Sequence, residues 1–452
     1  MAPMNVGERL ARFVAKTEAV PEDAFLQAKR AVLDTIGVAL AGSREESACA
    51  VADWLRDQGG RPEAAVLGRA LRLPAADAAL ANGTAAHALD FDDVSLSMRG
   101  HPSAPLLPAA LALGEAAGSS GRDILTAFVL GFEVETKLGR AIGGPHYALG
   151  WHATSTLGTL VAAAACARLL RLDAGRAQMA LGVAASLASG LQQNFGSMTK
   201  PLHAGWAARS GVVAAQLASR GFSADAEALE GPGGFLRAMS GGAEPDLSPF
   251  DALGRPFEIV SPGVGVKLYP CCYAAHRSLD AVLALRAAHD IQPGDVAEVQ
   301  VEVNRGGLMP LREETPATGL EGKFSLEYCL AAALIDGGVS LPSFSDGAVR
   351  RPAVRELMSR VRADEGEEAA EFPVGGYAEV RIVLRDGTEY GTRVDVPRGD
   401  ASRPLAWDEL AAKLRGCAGG VLSAEATEHA ITMIERLDGL EDARGLTEAL
   451  SG

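Results

Sequence analysis

Glu298-Val299-Gln300-Val301-Glu302-Val303 alternates apolar with polar side chains without a break, the pattern of a strand buried on one face. No alternation of this kind interrupts residues 1–250, so the stretch marks the point where the chain changes architecture. Further on, Val380, Ile382 and Leu384 lead into Asp386-Gly387 and then Tyr390, Val394 and Val396. Asp-Gly between two alternating runs is a hairpin signal. Helical spacing between these strands predicts helices over 273–289, 324–337 and 350–363.

On either side the period changes to that of helices. Leu10, Phe13 and Val14 form one stripe, and Phe25, Val32, Ile36 and Leu40 continue it, with Pro21, Glu22 and Asp23 as a helix start. Helices are expected over 45–58, 75–89, 105–117, 123–140 and 155–170, and again over 407–415 and 423–437. The fold class is therefore mainly α with an α+β part. A large all-helical domain is built from both chain ends, 1–265 together with 401–452, and a smaller α+β lid domain occupies 266–400.

A chain of 452 residues exceeds the roughly 250–300 at which one core stops growing, which agrees with two domains. Its formal net charge of −15, with no run of Lys and Arg, argues against nucleic acid or an anionic membrane as partner. Met1 to Leu10 lacks the basic and apolar regions of a signal peptide, and the apolar run Leu157 to Ala167 is shorter than the ~20 residues that span a bilayer. A cytoplasmic protein is expected. The cysteines at 49, 166, 271, 272, 329 and 417 form neither a CxxC pair nor a zinc spacing, and are read as reduced thiols.

The chemistry concentrates between His87 and Ser103: His87-Ala-Leu-Asp90-Phe91-Asp92-Asp93-Val94-Ser95-Leu96-Ser97-Met98-Arg99-Gly100-His101-Pro102-Ser103. On a continued helix His87, Asp90 and Asp93 would share one face and Asp92 would point elsewhere. Gly100 and Pro102 bracket His101 in a turn, and loops often hold catalytic groups. The residues alone leave open a solvated helix end with a turn histidine. They also leave open Mg²⁺ or Mn²⁺ on Asp90, Asp92 and Asp93 together with a histidine, although helical spacing directs these carboxylates apart. His152 stands just before an apolar helix, and Lys200 and His203 close a polar segment read as a loop. Tyr269-Pro270-Cys271-Cys272-Tyr273-Ala274-Ala275-His276-Arg277 opens the middle domain, where packing is the leading role for both cysteines; Tyr328 suits a helix core equally well.

Taken in order, HALDFDD and GHPS within 87–103, GWHATSTLG over 150–158, MTKPLHAGWAAR over 198–209, YPCCYAAHRSLDA over 269–281 and FSLEYCLAAAL over 324–334 resemble the MmgE/PrpD family. That family includes 2-methylcitrate dehydratase, cis-aconitate decarboxylase and iminodisuccinate epimerase. The resemblance implies a helical domain with an α+β lid, a homodimer, and a small polycarboxylate substrate handled without metal or organic cofactor. By the same resemblance Asp90, His101, His152, Lys200, His276 and Tyr328 match site positions; with the chemistry of the residue types added, His101, His152, Asp90, His276 and Tyr328 are catalytic candidates, and Lys200, His203, Asp93, Arg99 and Arg277 are expected to bind substrate. His101 and His152 would transfer protons, Asp90 would orient an imidazole, and Lys200 would hold a carboxylate. The implied reaction makes or protonates a carbanion beside a carboxylate, which suits histidine's range. Val94 departs from the threonine that follows DFDD in decarboxylases and dehydratases. A lyase is expected, with an epimerase or a non-catalytic carboxylate-binding protein as alternatives.

Overall fold

Caps and first-turn acids mark the starts of the first helices. The computed structural model describes residues 4–312, 315–369 and 376–451. Helix α1 (Val6–Lys16) starts at Asn5, whose side chain accepts the Glu8 N–H, and α2 (Glu22–Gly42) starts behind Pro21 with two acids in its first turn. There follow α3 (Glu46–Gln58), α4 (Ala75–His87), α5 (Ser103–Ala117), α6 (Gly121–Ala148), α7 (Ala153–Leu169), α8 (Ala174–Leu187) and α9 (Thr199–Ser219). Between α3 and α4 lies a two-stranded ribbon, β1 (Ala64–Ala65) and β2 (Arg72–Leu73), that the sequence does not announce. Two residues per strand are too few to establish an alternation.

The chain divides into two compact units. The first comprises the residues up to Ala88, Asp92–Val264 and those from Ala406 onward; the second comprises Leu89–Phe91 and Gly265–Leu405. In the first unit Leu10, Val14, Leu80, Leu113, Leu138, Leu157, Leu160 and Val212 belong to one buried core. The C-terminal helix Trp407–Ala418 lies on α2, where Lys413 Nζ reaches Asp34 Oδ1 at 2.6 Å. No helix among the described residues is long and apolar enough to cross a membrane.

The second unit is built on a sheet of order β4-β3-β5-β6. Its centre is β3 (Val296–Arg305), parallel to β4 (Val361–Ala369) and antiparallel to β5 (Ala378–Leu384), which in turn pairs antiparallel with β6 (Glu389–Val394). Val299 faces Ile382 and Val301 faces Val380 across the ladder, so the alternation read in the sequence turns its apolar side into a core. The helices His276–His289 and Leu326–Asp336 contribute Leu279, Val282, Leu330 and Leu334 to that core. Gly387, at φ 88°, makes the expected β5–β6 turn. The helix expected over 350–363 is formed only in part. Over that stretch come the short helix Pro352–Met358 and then β4, whose Val361-Arg362-Ala363-Asp364-Glu365 is too acidic to display an apolar face. As an edge strand paired on one side only, β4 tolerates those charges.

Candidate active site

Two glycines fix the first unit's functional residues in space. Helices α4 and α9 cross where Gly83 meets Gly205: a Cβ on Gly205 would lie 2.3 Å from the Leu80 carbonyl oxygen, and one on Gly83 would lie 2.8 Å from the Gly205 Cα. Any side chain at this crossing would force the backbones apart. One turn beyond it α4 ends at His87, and on α9 His203 stands within a turn of it and Lys200 about a turn and a half away. Lys200 and His203 are thus helical, contrary to the loop reading, because Pro201 falls in the first turn, where a proline costs no hydrogen bond.

Beyond His87 the helix stops instead of continuing through Asp93. Asp90 adopts φ 51°, and the chain folds back so that Asp92 Oδ2 lies 2.8 Å from His87 Nδ1. The expected shared face of His87, Asp90 and Asp93 therefore does not form, and Asp92, expected to point away, is the carboxylate that meets the imidazoles. His101 Nδ1 stands 3.3 Å from the same Oδ2. The Thr154 hydroxyl, near the start of α7, accepts the His101 backbone N–H at 3.0 Å, and Gly100 beside it leaves no room for a Cβ, which would sit 3.0 Å from the Thr154 nitrogen.

Asp93 turns the other way, into the protein. It accepts the Ser103 N–H at 3.2 Å and pairs with the Ser103 hydroxyl at the first residue of α5, with no solvent exposure. Asp93, expected to bind substrate, here anchors Ser103, two residues beyond His101. Burial pushes its carboxyl well above the usual range, and it does the same for the enclosed Glu135, with Asp93 adding to the effect.

The remaining imidazoles complete the group. His152, the residue preceding α7, has its ring centroid 5.5 Å from that of His87, and its Nδ1 lies 3.0 Å from His203 Nδ1. Phe195 sets its ring against His152 at 4.9 Å, with Lys200 Nζ 5.3 Å from the Phe195 ring centre. His87 and Asp92 are enclosed, Lys200 is 5% exposed, and the His101 side chain keeps 13% of its surface open.

Burial dominates the electrostatics. It drives His87 down to about 4 against the pull of Asp92, and His203 to about 4 with help from Lys200. His152 is held well below the ordinary imidazole range by burial and then by His87 and Lys200. For Asp92 burial acts upward, but His101 and His87 outweigh it and hold the carboxyl well below its usual range. At neutral pH His87 is therefore a neutral ring donating Nδ1–H to an anionic Asp92. His87 Nε2 and Asp92 Oδ1 are left without a hydrogen-bond partner among the described residues.

Elsewhere, Arg99 sits in the left-handed region at φ 54° and depresses His146, a ring that burial already lowers to about 4. Four candidates belong to the second unit. Asp90 is bound there by Lys267, whose Nζ reaches its Oδ2 at 2.8 Å and its carbonyl at 2.9 Å. His276 opens the helix His276–His289, buried between the rings of Tyr269 and Tyr273, its Nε2 3.3 Å from the Cys271 carbonyl. Arg277 Nε donates to the Asp395 carbonyl, and Tyr328 is fully enclosed, donating to the Ser343 carbonyl. Sequence reasoning missed the pairing of His87 with Asp92, which a helix continued past Leu89 conceals, and it missed Lys267 because Val266-Lys267-Leu268 reads as ordinary chain.

Models of two protein-family domains match the sequence in order: the MmgE/PrpD N-terminal domain over residues 8–248 and the MmgE/PrpD C-terminal domain over residues 269–439. The chain belongs to the MmgE/PrpD family. This MmgE/PrpD protein is 32% identical over 437 residues to a cis-aconitate decarboxylase of Mus musculus, covering 94% of this chain and 89% of the relative. It is 31% identical over 446 residues to the Homo sapiens cis-aconitate decarboxylase, covering 94% and 90%. Against the Aspergillus terreus cis-aconitate decarboxylase it is 29% identical over 468 residues, covering 96% and 93%. The family resemblance carried by the motifs from HALDFDD to FSLEYCLAAAL is thereby borne out.

Proposed function

We propose that this MmgE/PrpD protein is a lyase that removes CO₂ or water from a small di- or tricarboxylate through a carbanion beside a carboxylate, without a metal or organic cofactor. The observation that carries the reading is the enclosed group of His87, Asp92, His101, His152, His203 and Lys200, in a chain about 30% identical to three decarboxylases acting on cis-aconitate.

Each part has chemistry to contribute. Lys200, little exposed to water, holds a substrate carboxylate and stabilises negative charge as it becomes enolate-like. For decarboxylation the C–C bond to the leaving carboxylate breaks, its electron pair passes onto the carbon framework, and an imidazole N–H of His101 or His152 delivers the proton to carbon. For dehydration one imidazole takes the C–H proton and the other protonates the departing hydroxyl. An imidazole can serve both directions, since a neutral ring has one N–H and one lone pair. Asp92 orients His101 and stabilises it when it is protonated. A homodimer, implied by the family resemblance, is part of the proposal.

Proton NMR in D₂O with cis-aconitate, citrate, methylcitrate and aspartate-derived diacids tests it. Deuterium entering beside a carboxylate, with loss of CO₂ or water, is the expected result. Exchange without loss of mass makes the protein an epimerase, and no exchange by the folded protein with any of the panel overturns the carbanion chemistry.

A further inference from the structure

The group that the proposed reaction uses for protons has the composition of a metal-ligand set. We infer that His87, Asp92 and His101 bind one divalent transition-metal ion of the Zn²⁺ or Co²⁺ class, and that the ion stops proton transfer rather than assisting it. The blocking half rests on the reading above; the binding half does not.

Two imidazoles and one carboxylate suit borderline-soft divalent ions, whereas Mg²⁺ and Ca²⁺ prefer oxygen alone. One ligand atom from each of the three residues lies within 4.8 Å of the other two. Bonds of about 2.0 Å in a tetrahedron place neighbouring ligand atoms about 3.3 Å apart. Asp92 Oδ2 is already 3.3 Å from His101 Nδ1 and 2.8 Å from His87 Nδ1, so the second gap must widen by only about 0.5 Å.

The proton balance also closes. A neutral His87 ligating through Nδ1 moves its proton to Nε2, the nitrogen left without a partner, and releases none. Asp92 is anionic, so the occupied site carries one net positive charge, and a fourth position stays open for water or a carboxylate. An ion there ties up the His101 nitrogen and takes Asp92 from it. Convergence of all three aspartates with a histidine has no such geometry, because Asp90 goes to Lys267, Asp93 to Ser103 and Asp92 to the imidazoles.

Chelator-stripped protein titrated with Co²⁺ tests binding through the visible absorption of the cobalt, and Zn²⁺ should displace it. One Co²⁺ per chain is expected, weakened at least 10-fold by Asp92→Asn or His101→Gln and unaffected by His203→Gln, with circular dichroism confirming the fold of each variant. The wild type gives an independent reading: bound Co²⁺ should show no thiolate charge-transfer band. Absence of stoichiometric uptake, uptake that survives both variants, or a thiolate band overturns the site. Turnover falling in step with Co²⁺ occupancy supports blocking, and turnover rising with it overturns blocking. Cobalt binding by a metal-free protein inactive on the whole panel would leave the site standing and sink the proposed reaction alone.

Discussion

Replacing His87 by Asn isolates the cost of burying an imidazole that refuses its proton. Asn keeps a donor near the position of Nδ1, so the contact to Asp92 persists while the titrating ring disappears. His87 is lowered from 6.5 to about 4, chiefly by burial. Because the folded value lies below the unfolded one, the unfolded chain gains protons first as pH falls. Stability is therefore lost progressively below about pH 6.5, and the loss levels off below about pH 4. At pH 5 the loss amounts to about 2 kcal/mol. Unfolding entropy of about 2.1 cal/mol/K per residue, over the roughly 300 residues of the first unit, converts this to about 3 °C in melting temperature. The buried acids Asp93 and Glu135 also titrate on unfolding and act in the opposite direction, so the wild-type curve alone decides nothing. They are common to both proteins and cancel in the difference. His87 is uncharged throughout pH 5–7, so its removal leaves its neighbours' fields in place. Melting followed by fluorescence at half-unit steps should show wild type losing about 3 °C relative to His87→Asn between pH 7 and pH 5. A gap that stays constant, or moves in the variant's disfavour, would refute the assignment of His87 as a buried neutral base.

Steady-state kinetics should split the site: His101→Ala or His152→Ala lowers kcat about 100-fold or more, while Lys200→Ala acts mainly on KM. Gly205→Ala should destabilise the first unit by at least about 2 kcal/mol, measured as a lower melting temperature, because its methyl has no space at the α4–α9 crossing. Asp93→Asn should be far milder than Asp93→Ala, since a neutral carboxyl and an amide can both bond Ser103. Wild type should lose stability relative to Asp93→Asn as pH rises above 4, the sign required of a carboxyl raised by folding. Exhaustive chelation should leave turnover intact; loss restored by metal would contradict the cofactor-free reaction.

Legibility of the fold depended on whether one period ran long enough. Val299, Val301 and Val303 repeat three times on one face, and Leu10 to Leu40 repeat over several turns, so β3 and the first helices are readable from sequence. Strand β4 is not, because an edge strand carrying Asp364, Glu365, Glu367 and Glu368 satisfies its backbone on one side and shows no apolar alternation. In the site, residue types were legible and partners were not. The composition of 87–103 flags proton chemistry, but the choice of Asp92 over Asp90 or Asp93 hangs on one backbone angle, Asp90 at φ 51°. Aspartate tolerates that region without demanding it, so no residue type marks the reversal. Lys200 and His203 looked like loop residues because the polar run before them hides the start of α9.

The 3.0 Å between His152 Nδ1 and His203 Nδ1 has a consequence of its own. Two neutral rings at that distance share one hydrogen: the donor ring then presents a bare Nε2, and the acceptor ring must carry its hydrogen on Nε2. Each ring is thus the complement of the other, and a hop of one hydrogen across the gap, matched by exchange at the two outer nitrogens, trades their identities. A hydrogen gained or lost at one outer nitrogen is thus felt at the other, across the 3.0 Å contact, without either ring becoming charged. The two tautomers of the pair are in that sense the two settings of one toggle.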